Sequence, residues 1–326
     1  MDDLFIIERL KKKISSPFLY EMKGNHCISL DLSQESIFGG NFRHHSETEK
    51  EKILLLISEL EYLETLDLRK NLIQKIPQSF FNLKSLRDIN LGSNDLVEFP
   101  EFLLQNENLE MLFLGCNQIK SIPEKFFLLK KIKSLHLHKN CIEHLPDEFT
   151  EFKNLEVIHL YLSMIKEYPE SLFNCNKIKT ISFGFNEFEH LPKEIGNLSE
   201  LEYLTLICTN INSLPEEFCN LKKLKATRLF KNKITSLPKN IGNLVNLEQI
   251  SLYQNDLKKL PESFKNLQNL KLLNLAKNKF DYFPGEISLL SNLEWLSFHD
   301  NPHEIIQPMD SSYKVISNKY DLWKVL

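Results

Sequence analysis

The chain has 326 residues and a nearly balanced charge, with 40 Lys and Arg against 44 Asp and Glu. Proteins that bind nucleic acid by neutralising phosphates are usually basic overall or carry a basic stripe, so the net charge of −4 argues against that class. Only 9 residues are glycine, which excludes glycine-rich and collagen-like classes.

The sequence has no segment typical of membrane insertion or export. Its longest aliphatic run, Ile53 to Ile57, is five residues long, whereas a membrane-spanning helix needs about 20. Lys11 to Lys13 follow the first apolar stretch instead of preceding it, which is the reverse of a secretory signal. Six scattered cysteines without a Cys-x-x-Cys pair predict reduced thiols and a cytoplasmic location, and export by a signal-free route remains open.

Residues 1–62 are predicted to form an N-terminal cap. A short amphipathic helix is predicted within residues 1–20, and the segment 28–32 resembles a degenerate first strand. Ser46 and Glu49 have the spacing of a capping box ahead of an apolar run, which predicts a second helix there.

From Leu63 to Asn301 a 23-residue pattern recurs eleven times, the last time incompletely. Ten of the 13 prolines fall at one phase of this pattern, and asparagine fills another phase in every repeat except those of Ser163 and Thr209. Alternating apolar and variable residues in each repeat predict a short strand with one buried face. Stacked strands of successive repeats are expected to form a parallel sheet.

The consensus of these repeats is L-x-x-L-x-L-x-x-N-x-I-x-x-L-P-x-x-F-x-x-L-x-x. It resembles the leucine-rich repeat family in its 23-residue intracellular form, and it is similar to repeats of Ras-pathway scaffold proteins and of bacterial tandem-repeat proteins. The resemblance covers residues 63–301. It implies an α/β solenoid, a horseshoe with a parallel β-sheet on the concave face and irregular or short helical segments on the convex side.

The repeated polar positions have predictable physical roles. The asparagine after each strand turns the chain and satisfies backbone groups, and the proline fixes φ where the chain runs irregularly. Asn106, Cys175 and Thr227 replace apolar residues of the pattern, so local irregularity is expected at each of them. Residues 302–326 are predicted to form a C-terminal cap, with a partner-docking tail as the alternative.

No motif of the sequence indicates catalysis. The patterns typical of nucleotide binding, nucleophile elbows and zinc peptidases do not occur, which predicts a protein without enzymatic activity or cofactor. His136, His138 and His159 are expected to lie close together on neighbouring strands, where three imidazoles could bind Zn²⁺. A solvated polar patch is favoured over a metal site, because no carboxylate at an equivalent position would orient the rings.

Large apolar and aromatic side chains occupy strand positions that point away from the predicted core. An exposed apolar strip rimmed by charge is typical of a protein-binding site, although neighbouring side chains on a closely spaced sheet could also simply cover one another. The predicted binding residues are Met111, Phe113, His136, His138, His159, Tyr161, Phe185, Tyr203, Ile207, Phe230 and Tyr253. The rim comprises Asp67, Arg69, Lys139, Arg228, Lys231 and Lys277.

These features predict a protein-protein interaction scaffold that holds a protein partner on the concave face. The resemblance to Ras-pathway scaffolds implies a role in signalling, but the motif describes the framework and does not identify the ligand. The alternative is a bacterial effector or host-interaction protein exported without a conventional signal, and the remote alternative is a metal site at the three histidines. The expected state is a monomer that binds neither nucleic acid nor membrane.

Overall fold

A computed structural model describes residues 2–14, 16–33, 43–302 and 314–315 of the chain. The chain divides into two units, Met1–Met164 (unit 1) and Ile165–Leu326 (unit 2). Of the predicted C-terminal cap, only residues 302, 314 and 315 belong to the described part of the chain.

Unit 1 begins with two helices and a hairpin. Helix α1 spans Asp3–Lys13 and helix α2 spans Glu47–Ile57. Strand β1 (Leu19–Lys23) pairs antiparallel with β2 (His26–Asp31). The strand predicted at residues 28–32 is therefore present as β2. The sequence does not predict β1, because it assigns residues 1–20 to a helical segment.

The capping box predicted at the start of α2 is confirmed. Ser46 Oγ accepts a hydrogen bond from the backbone N–H of Glu49, and the Glu49 carboxylate accepts one from the backbone N–H of Ser46. Two of the N–H groups that a helix leaves without intrahelical partners are thereby satisfied.

The remainder of unit 1 contains one three-residue strand per repeat. Strands β2 to β7 pair in parallel and in chain order, with partners of successive repeats exactly one 23-residue period apart from β3 onward. Equivalent positions of neighbouring repeats are therefore lateral neighbours. The repeat strands are β3 (Thr65–Asp67), β4 (Asp88–Asn90), β5 (Met111–Phe113), β6 (Ser134–His136) and β7 (Val157–His159).

Unit 2 has the same architecture, with strands β8 to β14 paired in parallel and in chain order. Its strands are β8 (Thr180–Ser182), β9 (Tyr203–Thr205), β10 (Ala226–Arg228), β11 (Gln249–Ser251), β12 (Leu272–Asn274), β13 (Trp295–Ser297) and β14 (Lys314–Val315).

Short 3₁₀ helices cover the side of each repeat opposite the strand, and most of them begin directly after the repeated proline. Pro77 illustrates the reason, because its φ of −69° suits a helix start and its carbonyl accepts from Phe80 N at 3.0 Å. Unit 1 has 3₁₀ helices at Gln78–Asn82, Glu101–Gln105, Glu124–Leu128 and Phe149–Glu151. Unit 2 has them at Glu170–Asn174, Lys193–Asn197, Glu216–Asn220, Ile241–Asn243, Glu262–Asn266 and Gly285–Leu289.

The core of each unit lies between the sheet and the 3₁₀ helices. Leucine and isoleucine from the middle of each strand pack against phenylalanines from the helical side, and Phe126 and Phe152 meet edge to face with ring centroids 5.2 Å apart. Burial of Phe80, Phe126, Phe149, Phe152, Phe218 and Phe264 confirms that many phenylalanines are structural.

The irregularity expected at Asn106 and Thr227 does not occur. Asn106 is fully buried, but its side chain accepts from Leu86 N and donates to Phe102 O. Thr227 keeps β10 in register with β9 and β11, although its side chain is smaller than the leucine or isoleucine of the other repeats and its buried hydroxyl has no partner among the described residues. Cys175, a small hydrophobic side chain, is simply buried after its 3₁₀ helix.

The repeated asparagines link neighbouring repeats. Asn140 Nδ2 donates to Leu137 O at 2.9 Å and to Leu114 O of the preceding repeat at 3.0 Å, while its Oδ1 accepts from Ile119 N at 3.0 Å. Asn255 makes the equivalent bonds in unit 2. The buried hydroxyl of Ser163 has no partner within the described part of the chain, in keeping with its shorter reach.

The residue before each asparagine position has a left-handed backbone, with φ between 53° and 60°, and none of these residues is glycine. Such a conformation is costly for a residue with a Cβ and persists only where the surroundings fix it. In the repeats with an asparagine, its side chain contributes to this by binding carbonyls of its own repeat and of the preceding one. Leu162 and Cys208 have the same backbone before Ser163 and Thr209. The left-handed residues are Lys70, Ser93, Cys116, Lys139 and Leu162 in unit 1, and Phe185, Cys208, Lys231, Gln254, Lys277 and Asp300 in unit 2.

A column of alternating charge runs along the sheet at the residue just before each repeat strand. Carboxylates and cations take turns, so like charges never meet across neighbouring strands. Lys225 lies 2.7 Å from Glu202, and Lys271 lies 2.8 Å from Glu248. The charge column consists of Glu64, Arg87, Glu110, Lys133 and Glu156 in unit 1, and of Lys179, Glu202, Lys225, Glu248, Lys271 and Glu294 in unit 2.

We predict that Asn140→Ala lowers the free energy of unfolding by about 1 to 3 kcal/mol, because it leaves buried backbone groups of two repeats unpaired. Chemical denaturation measures the change. The neighbouring exposed residue provides a matched control, since Gln118→Ala should leave stability unchanged. Equal stability of Asn140→Ala and the parent would contradict the role assigned to the asparagines.

Lys225→Glu should lower the thermal unfolding midpoint at low salt, because it places three carboxylates side by side in the charge column. Lys225→Gln should have a smaller effect, and the difference between the two variants should shrink as salt screens the repulsion. Scanning calorimetry across a salt series tests this. A difference that does not depend on salt would show that the alternation has no electrostatic role.

Candidate protein-binding site

The outer face of each sheet is the face opposite the core. Successive strand residues point to opposite faces, so the middle residues Leu135 and Ile158 are buried while the next residues along the chain point outward. In unit 1 these outward residues are Phe113 on β5, His136 on β6 and His159 on β7, and register pairs each with the next.

The three rings form a continuous stack. Phe113 and His136 have centroids 4.3 Å apart and an interplanar angle of 26°. His136 and His159 are 4.6 Å apart and nearly parallel, at 7°. These separations match the spacing of neighbouring strands, about 4.8 Å, so the sheet itself sets the stacking distance.

A second stack lies beside the first, two residues further along each chain segment. His138 and Tyr161 have centroids 4.5 Å apart at 10°, and His138 meets His136 edge-on at 6.2 Å and 73°. Five rings therefore form one contiguous surface. We name Phe113, His136, His138, His159 and Tyr161 the ring cluster.

Gly115 makes room for the second stack. A Cβ at this position would lie only 2.4 to 2.7 Å from three atoms of the His138 ring, so the imidazole lies directly over the glycine. His138 is thus held between the Gly115 backbone and the Tyr161 ring. A glycine inside a strand pattern indicates close approach by a neighbour, and here that neighbour is the His138 ring.

The ring cluster is uncharged at neutral pH. Burial, with the charges of the neighbouring histidines, lowers the pKa of His136 to about 3. Burial, together with His159 and Lys139, lowers the pKa of His138 to about 4, and burial also lowers the pKa of His159. Since the unfolded chain binds these protons near the ordinary pKa of 6.5, stability should fall as pH decreases from there towards 3.

His136 and His138 differ in their hydrogen bonding. His136 Nε2 lies 2.9 Å from Ser134 Oγ, which holds its ring. His138 Nδ1 is buried and has no hydrogen-bond partner among the described residues. The ring cluster is therefore an uncharged surface beneath which one imidazole nitrogen is buried without a partner among the described residues.

The geometry of the histidines does not suit a metal ion. A ligating nitrogen directs its lone pair in the plane of its own ring, at about 2.0 Å from the metal. The nearly parallel planes of His136 and His159, 4.6 Å apart, cannot both contain one ion. Within the described ranges no group of three or more His, Cys, Asp and Glu side chains is arranged to hold one.

The remaining predicted residues are distributed between the two units. Met111 borders the ring cluster in unit 1 and is 37% exposed. In unit 2, Tyr203 is 46% exposed and Phe185 44% exposed, while Ile207 and Tyr253 are half-buried. Each of these side chains reaches solvent.

Phe230 is the exception. It is only 5% exposed, and it therefore contributes packing within unit 2 rather than an open contact surface. Its neighbours in the same column, Ile207 and Tyr253, are half-buried. A change of Phe230 to Asp would bury a charge, so it is unsuitable as a test of binding.

The predicted charged rim also differs between units. In unit 1, Arg69 Nε lies 3.0 Å from Asp67 Oδ2, whereas Lys139 is exposed beside the ring cluster. In unit 2, Lys277 Nζ lies 5.6 Å from the centroid of the Tyr253 ring, a cation–π arrangement.

Leu162 and Phe185 depart from local rules, which the repeat consensus alone does not indicate. Both are bulky residues at left-handed positions, with φ of 53° and 59°, and both are more than two-fifths exposed. Neither burial nor backbone preference accounts for a large apolar side chain at these places. Such departures concentrate at functional surfaces.

Comparison with protein families agrees with the repeat architecture. The family model described as leucine rich repeat matches residues 56–97 and 107–164, and the one described as leucine-rich repeat region matches residues 170–255. The chain belongs to the leucine-rich repeat family. Its fold is the α/β solenoid of that family, with an open parallel sheet. No curated protein matches the sequence.

Solved structures with a similar fold include an internalin, InlF, from Listeria monocytogenes, with a TM-score of 0.72 and 22% identity over 92% of this chain and 81% of that one. A chain of the Toll–Spatzle complex from Drosophila has a TM-score of 0.65 and 27% identity, over 76% of this chain and 34% of that chain. A chain from an octameric complex of Latrophilin 3, Unc5D and FLRT2 has a TM-score of 0.64 and 24% identity, over 78% and 84% of the two chains.

These neighbours establish the fold of the leucine-rich repeat chain. Leucine-rich repeat neighbours are typically protein-interaction modules, and some of them are seen with protein partners. None of the helices in the described part of the chain is both long and apolar enough to cross a bilayer.

We predict that Gly115→Ala displaces the His138 ring, because the new methyl group would occupy the position of the imidazole. The pKa of His138 should then rise from about 4 towards 6.5, which NMR titration of the histidine ring signals measures. Gly285→Ala serves as the control, since a Cβ there meets nothing within 4 Å. An unchanged His138 titration in Gly115→Ala would refute the proposed packing.

Proposed function

We propose that this leucine-rich repeat protein is a non-enzymatic scaffold that holds a protein partner on the outer face of its sheet, which is the concave side in this fold. The observation that carries the proposal is the ring cluster. Five rings lie side by side at positions where packing of the core does not require an aromatic residue.

The physical properties of the ring cluster favour protein binding. Its histidines are held neutral by burial, so covering them with a partner does not remove a charge from water. Stacking already fixes the rings, so little side-chain entropy is lost when a partner binds. Rigid aromatic anchors with these properties are enriched among the residues that dominate binding energy.

The alternative interpretation is that the rings only cover one another. Stacking does hide the faces that meet within each stack, but all five rings remain partly exposed except at those contacts. Met111 and Leu162 extend the surface with exposed apolar side chains. A covering role alone would not account for these additional exposed groups.

We further propose that the protein acts as a monomer in the cytoplasm, in a signalling pathway. All six cysteines are free, which supports a reducing compartment. Two of the structural neighbours come from complexes that contain other proteins, the Toll–Spatzle complex and the complex of Latrophilin 3 with Unc5D and FLRT2. The role of an exported host-interaction protein remains the alternative, and fractionation of native cells separates the two.

Affinity capture from the native lysate tests the proposed function. Tyr161→Asp places a charge in the ring cluster and Met111→Asp places one at its exposed border, so each should reduce partner capture roughly tenfold or more. Tyr282→Asp is the matched control, because Tyr282 is 58% exposed and lies outside the outer face. Thermal unfolding of each variant verifies that the fold is retained. Undiminished capture by both outer-face variants would refute the proposed site.

A further inference from the structure

The outer face of unit 2 has more cations than carboxylates. Each strand from β8 to β13 contributes four outward positions. Two are the first and third residues of the strand, and two are the second and third residues that follow the end of the strand. Across these positions the cations are Arg228, Lys231 and Lys277, and the only carboxylate is Asp300. Asp300 lies 3.1 Å from His299 Nδ1 at the last repeat.

The lysines of this face are not neutralised by the protein itself. In the charge column, which lies just before the same strands, Lys225 is paired with Glu202 and Lys271 with Glu248. By contrast, Lys231 and Lys277 have no carboxylate within ion-pair distance in the described part of the chain. In unit 2, the charges just before the strands are thus balanced, whereas the charges after the strands are positive in excess.

Polar and apolar groups lie beside these cations. Arg228 lies on β10 between the half-buried Thr205 and the buried Ser251 of the neighbouring strands. Tyr253 and Ile207 provide half-buried apolar surface in the adjacent column, and the Lys277 ammonium lies over the Tyr253 ring. The lysines suit an anion, and the adjacent Tyr253 ring and Ile207 suit an apolar side chain.

We propose that the outer face of unit 2 binds an acidic segment of the protein partner, in which Asp or Glu side chains alternate with or adjoin apolar ones. The carboxylates contact Lys231 and Lys277, which follow strands β10 and β12. The apolar side chains pack on Tyr253 and Ile207. The inference rests on the proposed function and adds the chemistry of the partner to it.

Selection from a displayed library of random peptides, with the full chain as bait, tests the proposal. The selected peptides should be enriched in Asp and Glu, and their affinity for the wild type should fall with added salt. Lys231→Glu combined with Lys277→Glu should weaken their binding roughly tenfold or more, whereas Lys231→Arg combined with Lys277→Arg should retain it. The matched control is Lys258→Glu with Lys259→Glu, an equal change of charge at exposed residues outside the outer face.

The outcomes separate this inference from the proposed function. Selected peptides without an acidic excess, or acidic peptides that bind the Lys231→Glu/Lys277→Glu variant equally well, would overturn the acidic partner and leave the scaffold function standing. A random oligonucleotide that displaces the peptides and binds more tightly would assign the cations to nucleic acid instead. Failure of the wild type to select any peptide would contradict both proposals.

Discussion

The hydrogen bonds of the repeated asparagine side chains are the interaction on which the rest of this structure depends. Each three-residue strand is too short to define its own position, and the asparagine that follows it binds carbonyl and N–H groups of its own repeat and of the preceding one. The same side chain helps to hold the left-handed residue before it, and Leu162 and Cys208 keep this conformation before Ser163 and Thr209. Fixed turns keep the strands in register, and register places equivalent side chains side by side.

Register has different consequences on the two faces of the sheet. On the inner face it produces layers of leucine, isoleucine and phenylalanine, which are the same in every repeat because the core requires them. On the outer face packing imposes no such requirement, so the residues vary from repeat to repeat. In unit 1 the rings cluster on β5 to β7, whereas in unit 2 they are spread over β8 to β13 and lie among hydroxyl groups and three cations. The framework is therefore shared, and recognition depends on the variable positions.

Electrostatics follow the same geometry. Identical positions of neighbouring repeats are separated by about one strand spacing, so like charges would repel strongly along any column. The charge column avoids this by alternating Glu with Lys or Arg. The ring cluster avoids it in another way, because burial and mutual repulsion keep its histidines unprotonated.

Much of this could be predicted from the sequence, because a role that recurs every 23 residues leaves a periodic signal. The strands, the asparagine contacts, the buried phenylalanines and the positions of the ring cluster were all predictable in this way. Features that do not recur with the repeat could not be predicted in this way, such as the strand Leu19–Lys23 of the N-terminal hairpin. The period also does not specify side-chain conformation, so neither the stacking over Gly115 nor the burial of Phe230 was foreseen.

The central claim is that the ring cluster faces a protein partner in the cell. A photo-reactive amino acid placed at Met111, which is exposed at the border of the ring cluster, tests it most directly. The same residue at Val97, exposed elsewhere in unit 1, serves as the control. Illumination of living cells should yield a discrete covalent adduct with one protein from position 111 and none from position 97. Equal labelling from the two positions, or no adduct from position 111, would contradict the account.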